Sequence, residues 1–279
     1  MRGHLAPTAV SGKDSELTEA GMLDGLKYCG FFAVILLVAG CSSPAPESEA
    51  PAANAQEGAL PLPLPTMSSA PAVSIARSTD RLDYTYSYPG EAAGIPALDK
   101  WLRDDAAAGE REAVLAAGRG EEKGRRHVYA KRWTAQANAP GLLSLAAQYV
   151  RFTGGQEPVP LWRTMIWDRQ ADQPIAFPTL LSDFTSFKPS LQQRVCEAFA
   201  AERKRRESEA KEPCPPLEQL NIALVSGAVI GPVRMLRLFA DPGVAAPVEE
   251  GSYEARLPVD DALVRAVRPE YRAAFAPAL

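Results

Sequence analysis

The chain changes its hydrophobic pattern three times. Residues 31–40 are a purely apolar block, FFAVILLVAG, that ends at Cys41. From Ser42 to about Ala76 there is no period at all, only Pro, Ala, Ser and Glu with almost no aromatic residues. From there on, regular alternation and helical spacing take over. RLDYTYSY (Arg81–Tyr88) alternates and reads as a strand. Ile95, Leu98, Trp101 and Leu102 begin a three-and-four spacing that predicts a core-facing helix to about Ala117. His127–Ala135, Leu142–Thr153 and Leu161–Asp168 read as three strands joined by Gly- and Pro-rich turns, which predicts an antiparallel meander. A helical turn over Thr179–Ser182 and a helix over Leu191–Ser208 follow. The last third predicts strands at Leu220–Val225, Val233–Phe239 and Ser252–Leu257, then a short helix at Asp260–Val267. Strands and helices come in clusters, not in strict alternation. The expected class is therefore α+β, with antiparallel sheets packed against helices.

The apolar block is too short to span a bilayer, which takes about 20 residues. It has the size of a signal-peptide core, with Lys27 before it and small residues after it. Val38-Ala39-Gly40-Cys41 resembles the bacterial lipobox, in which the signal is cut before a cysteine that then carries acyl chains. Residues 1–21 hold Asp14, Glu16 and Glu19, which a basic signal n-region excludes. We read Met22 as the start, 1–21 as an upstream over-read, 22–40 as the signal and 41–77 as a lipidated tether. The domain is expected over 78–279. Such a tether cannot bury enough apolar surface to offset its ordering entropy, and LPLPLP (Leu60–Pro65) favours extended polyproline geometry. Ser42 follows the cysteine where an inner-membrane lipoprotein of Gram-negative type usually has aspartate. The resemblance thus implies an outer-membrane anchor facing the periplasm.

Charge and composition narrow the function. The net charge of −4 gives no reason to expect a nucleic-acid partner. Cys196 and Cys214 remain as an even pair in an oxidising compartment, so we expect a disulfide between them. Of two histidines, only His127 follows Cys41, and it is expected as an exposed strand residue. No paired-histidine metal spacing and no glycine-rich phosphate loop is present, so no catalytic group, metal or cofactor is assigned. Adjacent acids such as Asp104-Asp105 point to different faces and make poor acid–base pairs, and Asp260-Asp261 read as a helix cap. Trp101, Trp133, Trp162 and Trp167 are expected mostly in the core.

Three stretches resemble one family when read together. They are GLLSLAAQYVRFTGG (Gly141–Gly155), the return strand ending in Trp167-Asp168-Arg169-Gln170, and the segment from Asp241 to Phe275. They resemble the envelope domain at the C-terminus of the RsiV anti-sigma factor and beside the catalytic domain of the PdaC peptidoglycan deacetylase. That resemblance implies two sheet-and-helix lobes, no catalysis by the domain itself, and a binding role. The ligand implied is lysozyme, as in RsiV, or peptidoglycan. The family hairpin often continues Gly-Gly-Ala-His-Gly, whereas here Gln156-Glu157-Pro158 follow Gly154-Gly155. Val244-Ala245-Ala246-Pro247 also replaces the usual Tyr-x-Ala-Gly-Pro. The candidate binding loop is Phe152, Thr153, Gly154 and Gly155, with Trp162 and Arg163 as exposed contacts beside it. A structural subunit of an outer-membrane assembly and a wall-active enzyme of unrecognised type are the other two readings.

Overall fold

The structure is a computed structural model that describes residues 68–119, 126–152, 158, 160–228 and 230–278. All of these lie in one compact unit, Gln56–Leu279. The nine strands among the described residues form two sheets. The larger runs in the order β1 (Val73–Ser78), β2 (Leu82–Tyr88), β3 (His127–Ala139), β4 (Leu142–Phe152), β5 (Leu161–Asp168) and β6 (Gln173–Ile175). The smaller is β7 (Asn221–Ser226), β8 (Val233–Ala240) and β9 (Tyr253–Pro258). Helices α1 (Gly90–Ala93) and α2 (Pro96–Arg119) lie between β2 and β3 in sequence. Helix α3 (Phe184–Arg205) precedes the small sheet, and α4 (Asp261–Ala266) follows it. The α+β expectation therefore holds.

Two details depart from the expected pattern. β2 and β3 are parallel. They are parallel because α2 carries the chain back between them, as any parallel crossover requires a long connection. The sheet also begins at Val73, inside the stretch expected as tether: β1 pairs along its whole length with β2, from Val73 opposite Tyr88 to Ser78 opposite Asp83. Its outward face is mostly exposed, so composition made it look like tether. Residues 1–67, including Cys41, lie outside the described residues.

Each face of the large sheet has its own packing partner. On one face, Leu98, Leu102, Ala106, Ala113 and Ala117 of α2 meet Tyr84, Tyr86, Tyr88, Tyr129, Trp133, Leu143 and Leu145. The helix thins to alanine and glycine towards its C-terminal half, and the tyrosine rings fill the space. Gly109 lets a ring come close: a methyl group there would overlap the Tyr129 hydroxyl oxygen and stand 2.6 Å from its Cζ. On the other face, Ala223 and Phe239 of the small sheet meet Ala146 and Trp162. The outer side of the small sheet then closes on Leu191, Val195 and Phe199, every fourth residue of α3.

α3 starts seven residues before the expected Leu191. Asp183 caps it, its carboxylate accepting from Ser186 N at 3.0 Å. Pro189 sits inside it, one and a half turns in. Its missing N–H would have bonded the carbonyl of Thr185, and both residues are exposed, so that carbonyl is open to solvent. The Cys196–Cys214 disulfide is present. Gln192 reinforces it, donating to Pro215 O at 2.9 Å and accepting from Leu217 N at 3.0 Å. Asp260 caps α4 as expected, accepting from Leu263 N at 2.8 Å.

Candidate functional site

Of the residues singled out in the sequence, Phe152 ends β4, and Trp162 and Arg163 lie near the start of β5. Thr153, Gly154 and Gly155 lie outside the described residues; Phe152, Trp162 and Arg163 do not. β4 runs three residues past its last pairing with β5, Tyr149 opposite Leu161. Trp162 stands opposite Gln148, so it shares a sheet face with Phe152 but sits about 13 Å away along the strand. The structure thus puts Phe152 and Trp162 on one surface without bringing them into contact.

Trp162 is half-buried, which fits its expected place mostly in the core and corrects only its second reading as an exposed contact. Its indole stacks on Phe239 of β8, with centroids 4.1 Å apart and planes 16° apart. Its backbone N–H donates to Asp241 Oδ1 at 2.7 Å. Arg163 is exposed but reaches the other oxygen, Asp241 Oδ2, at 3.2 Å. On the far side of Phe239, the Arg237 guanidinium lies 4.9 Å from the ring centroid and is bonded to Gln136 of β3. This corner is a clamp between the sheets, helped by Ser144 Oγ, which accepts from Leu224 N at 2.9 Å. Phe239 and Asp241 were not singled out from sequence. The usable signal was Asp241-Pro242-Gly243 just after a strand, the setting of a turn-anchoring carboxylate.

Beyond the clamp the same sheet face is open. Val128, Ala130, Val150 and Phe152 are half-exposed there, flanked by exposed Thr85, Arg132 and Gln148. The small sheet covers only the other end of β3–β5, so this half of the face has no packing partner among the described residues. It is mixed in polarity and ends at Phe152, the last described residue before Thr153–Gly155 of the candidate loop.

The opposite face holds a buried polar ladder. The Tyr84, Tyr86 and Tyr88 hydroxyls donate to Ala106 O, Asp105 Oδ2 and Asp99 Oδ1 at 2.7, 2.6 and 2.6 Å. Asp105 also accepts from Lys131 Nζ at 2.7 Å, and Trp133 donates to Tyr86 Oη at 2.8 Å. Burial, then the acids above them, hold all three tyrosines well above the usual range. Arg103, followed by Tyr88, holds the Asp99 carboxyl below its usual value.

His127 also sits on this side, at the start of β3. It is 8 % exposed and its Nδ1 has no hydrogen-bond partner, which corrects the expected exposed strand residue. Alternation along β3 turns it to the same face as Tyr129 and Trp133. Among the described residues, no three His, Cys, Asp or Glu side chains are placed to hold a metal ion. No helix among them is long and apolar enough to cross a membrane.

The Trp-Asp-Arg-Gln motif is a tie. Asp168 accepts from the N–H groups of Gln170 and Ala171 and from the Tyr271 hydroxyl at 2.6 Å. It joins the β5–β6 turn to the C-terminal segment, and burial and the Asp168 hydrogen bond push Tyr271 up to about 12.

This arrangement of sheets and helices is found in solved structures. A DUF3298 family protein from Pseudomonas aeruginosa superposes with a TM-score of 0.50 at 15% identity, over 75% of this chain and 98% of that one. A member of the same family from Bacteroides fragilis gives 0.48 at 12% identity, over 73% and 96%. The first likeness establishes the shared fold. No family model matches the sequence, and no curated protein matches it.

Proposed function

We propose that the protein is a lipid-anchored binding module of the bacterial cell envelope, held at the outer membrane through Cys41 and facing the periplasm. The observation that carries this reading is the unpartnered half of the large sheet, Val128, Ala130, Val150 and Phe152. A surface of that kind on a tethered domain suits recognition of a large ligand. The lipobox at Val38–Cys41 supports the anchor. The resemblance to the RsiV and PdaC envelope domains supports lysozyme as the ligand, with peptidoglycan as the second candidate. In this reading the domain binds and does not catalyse. Fractionation of cells expressing Cys41→Ala tests the anchor: the variant is expected to stay unprocessed or leave the membrane fraction. If it still behaves as a processed membrane lipoprotein, the anchor is elsewhere. The ligand is tested by co-sedimentation of the purified full chain with sacculi, with and without added c-type lysozyme. Retention in neither condition would leave the structural-subunit reading in its place.

A further inference from the structure

β9 is an edge strand: among the described residues, no strand pairs with its outer side. Its inner side bonds β8 through alternate residues. Val259 N donates to Arg234 O at 2.9 Å, and the register then makes Leu257–Leu236 and Ala255–Leu238 the hydrogen-bonded pairs. The backbone N–H and C=O groups of Glu254 and Arg256 therefore point outwards. Natural edges of this kind are blunted or used.

Here the edge forms one wall of a cleft of about 600 Å³, and the last turns of α3 form the other. Ala198, Ala201 and Ala255 leave the floor open. Arg205, Arg206 and Arg256 line it against Glu202 and Glu254. Arg205 and Arg206 share one carboxylate, Glu202. Arg256 shares Glu254 with Arg237, which grips that carboxylate from behind through two hydrogen bonds of 2.9 and 2.6 Å. Four guanidinium groups thus divide two carboxylates, and most of their donors remain unused. Arg206 is pinned: it lies 4.0 Å over the Tyr253 ring and donates to Ser252 O at 3.0 Å. Arg205 and Arg256 stay 70% and 67% exposed at the mouth.

We infer that this cleft takes an extended acidic peptide segment, which adds as a strand to the outer edge of β9 and places its carboxylates on Arg205 and Arg256. Backbone pairing supplies the register and the arginines supply the sign of charge. The length is limited, because Pro258 ends the donor pattern and its carbonyl is already taken by Arg194. The partner segment is short, about three or four paired residues. This proposal is independent of the lysozyme or peptidoglycan reading, whose surface is the open face of the large sheet.

The test uses the full chain and a capped hexapeptide of alternating threonine and glutamate, followed by fluorescence anisotropy. Saturable binding is expected, weakened at least tenfold by methylation of alternate peptide nitrogens and at least tenfold in the Arg205→Glu/Arg256→Glu double variant. The lysine-for-glutamate peptide is expected not to bind. Both arginines are exposed, so the variant should keep its melting temperature. If it does not, Arg205→Ala/Arg256→Ala replaces it, and amide shifts at Glu254 and Arg256 on peptide addition give a second readout. Absence of saturable binding at millimolar peptide overturns the proposal. Equal binding of the N-methylated peptide, or undiminished binding by the arginine variant, also overturns it.

Discussion

The two helix-covered halves solve the same packing problem by different means. α2 is narrow where it crosses the large sheet, with Ala106, Gly109, Ala113 and Ala117 at its inner positions. The sheet sends up long rings, and each ring that carries a hydroxyl needs a polar partner when buried. Asp99, Asp105 and the Ala106 carbonyl provide those partners to β2. α3 instead presents Leu191, Val195 and Phe199 to an aliphatic layer, and a disulfide ties its flank. One half is specified by hydrogen-bonded geometry, the other by shape and a covalent link. The first should be sensitive to single polar substitutions, the second to volume and reduction.

The largest expected effect is on the disulfide half. Replacing Cys196 and Cys214 by serine opens a loop of sequence separation 18 and should cost about 3 kcal/mol. Urea unfolding measures the loss. Amide exchange should speed up in α3 and the segment after it, and α2 should change less. Equal acceleration in both halves would mean that they do not differ in this way.

Next comes Asp105→Ala, expected to cost about 2–3 kcal/mol, because it strands the 11% exposed Lys131 ammonium and the Tyr86 hydroxyl together. Asp105→Asn should cost less, since it keeps an acceptor. Similar costs for both would show that the carboxylate charge, not the acceptor, is what Lys131 requires there. Gly109→Ala is a contest between two effects. Helix propensity favours alanine by about 1 kcal/mol, and overlap with the buried Tyr129 ring opposes it by about 1–3 kcal/mol. We expect a net loss of about 1 kcal/mol in thermal or urea unfolding. A gain would mean that Tyr129 moves aside freely.

The smallest effects are those of pH. Tyr84, Tyr86, Tyr88, Tyr129 and Tyr149 in the α2 half are all raised, chiefly by burial, against Tyr253 and Tyr271 in the other. A raised group leaves stability intact below the unfolded tyrosine pKa of about 10 and removes it as pH climbs beyond. Stability should therefore fall above pH ~10, and exchange should open the α2 half first. Asp99 acts in the opposite direction: its lowered pKa gives stability above about pH 4 that is lost as pH falls through its folded value. Asp99→Asn should flatten the acid limb of a stability–pH profile.

Much of this fold was legible because strand alternation and four-residue helical spacing survive in the chain. The β3–β4–β5 meander, the helix from Pro96 and the cap at Asp260 follow from local pattern alone. What was not legible depends on pairing at a distance. β1 looked like tether because an edge strand with an exposed face needs few apolar residues. His127 looked exposed because a charged turn precedes it, yet alternation with Tyr129 and Trp133 turns it inward. Trp162 looked divided between core and exposed contact because Phe239 and Asp241, which hold it, come more than seventy residues later. The arginine-lined cleft was not legible, since Arg256 reaches it only through the small sheet.

The central claim is that the domain is an envelope receptor, and a calorimetric titration of the full chain with a c-type lysozyme at physiological salt tests it most directly. The account predicts saturable heat at micromolar affinity or better, reduced at least tenfold by Phe152→Ser with the melting temperature kept. No heat at high lysozyme concentration, together with no retention on sacculi, would contradict it.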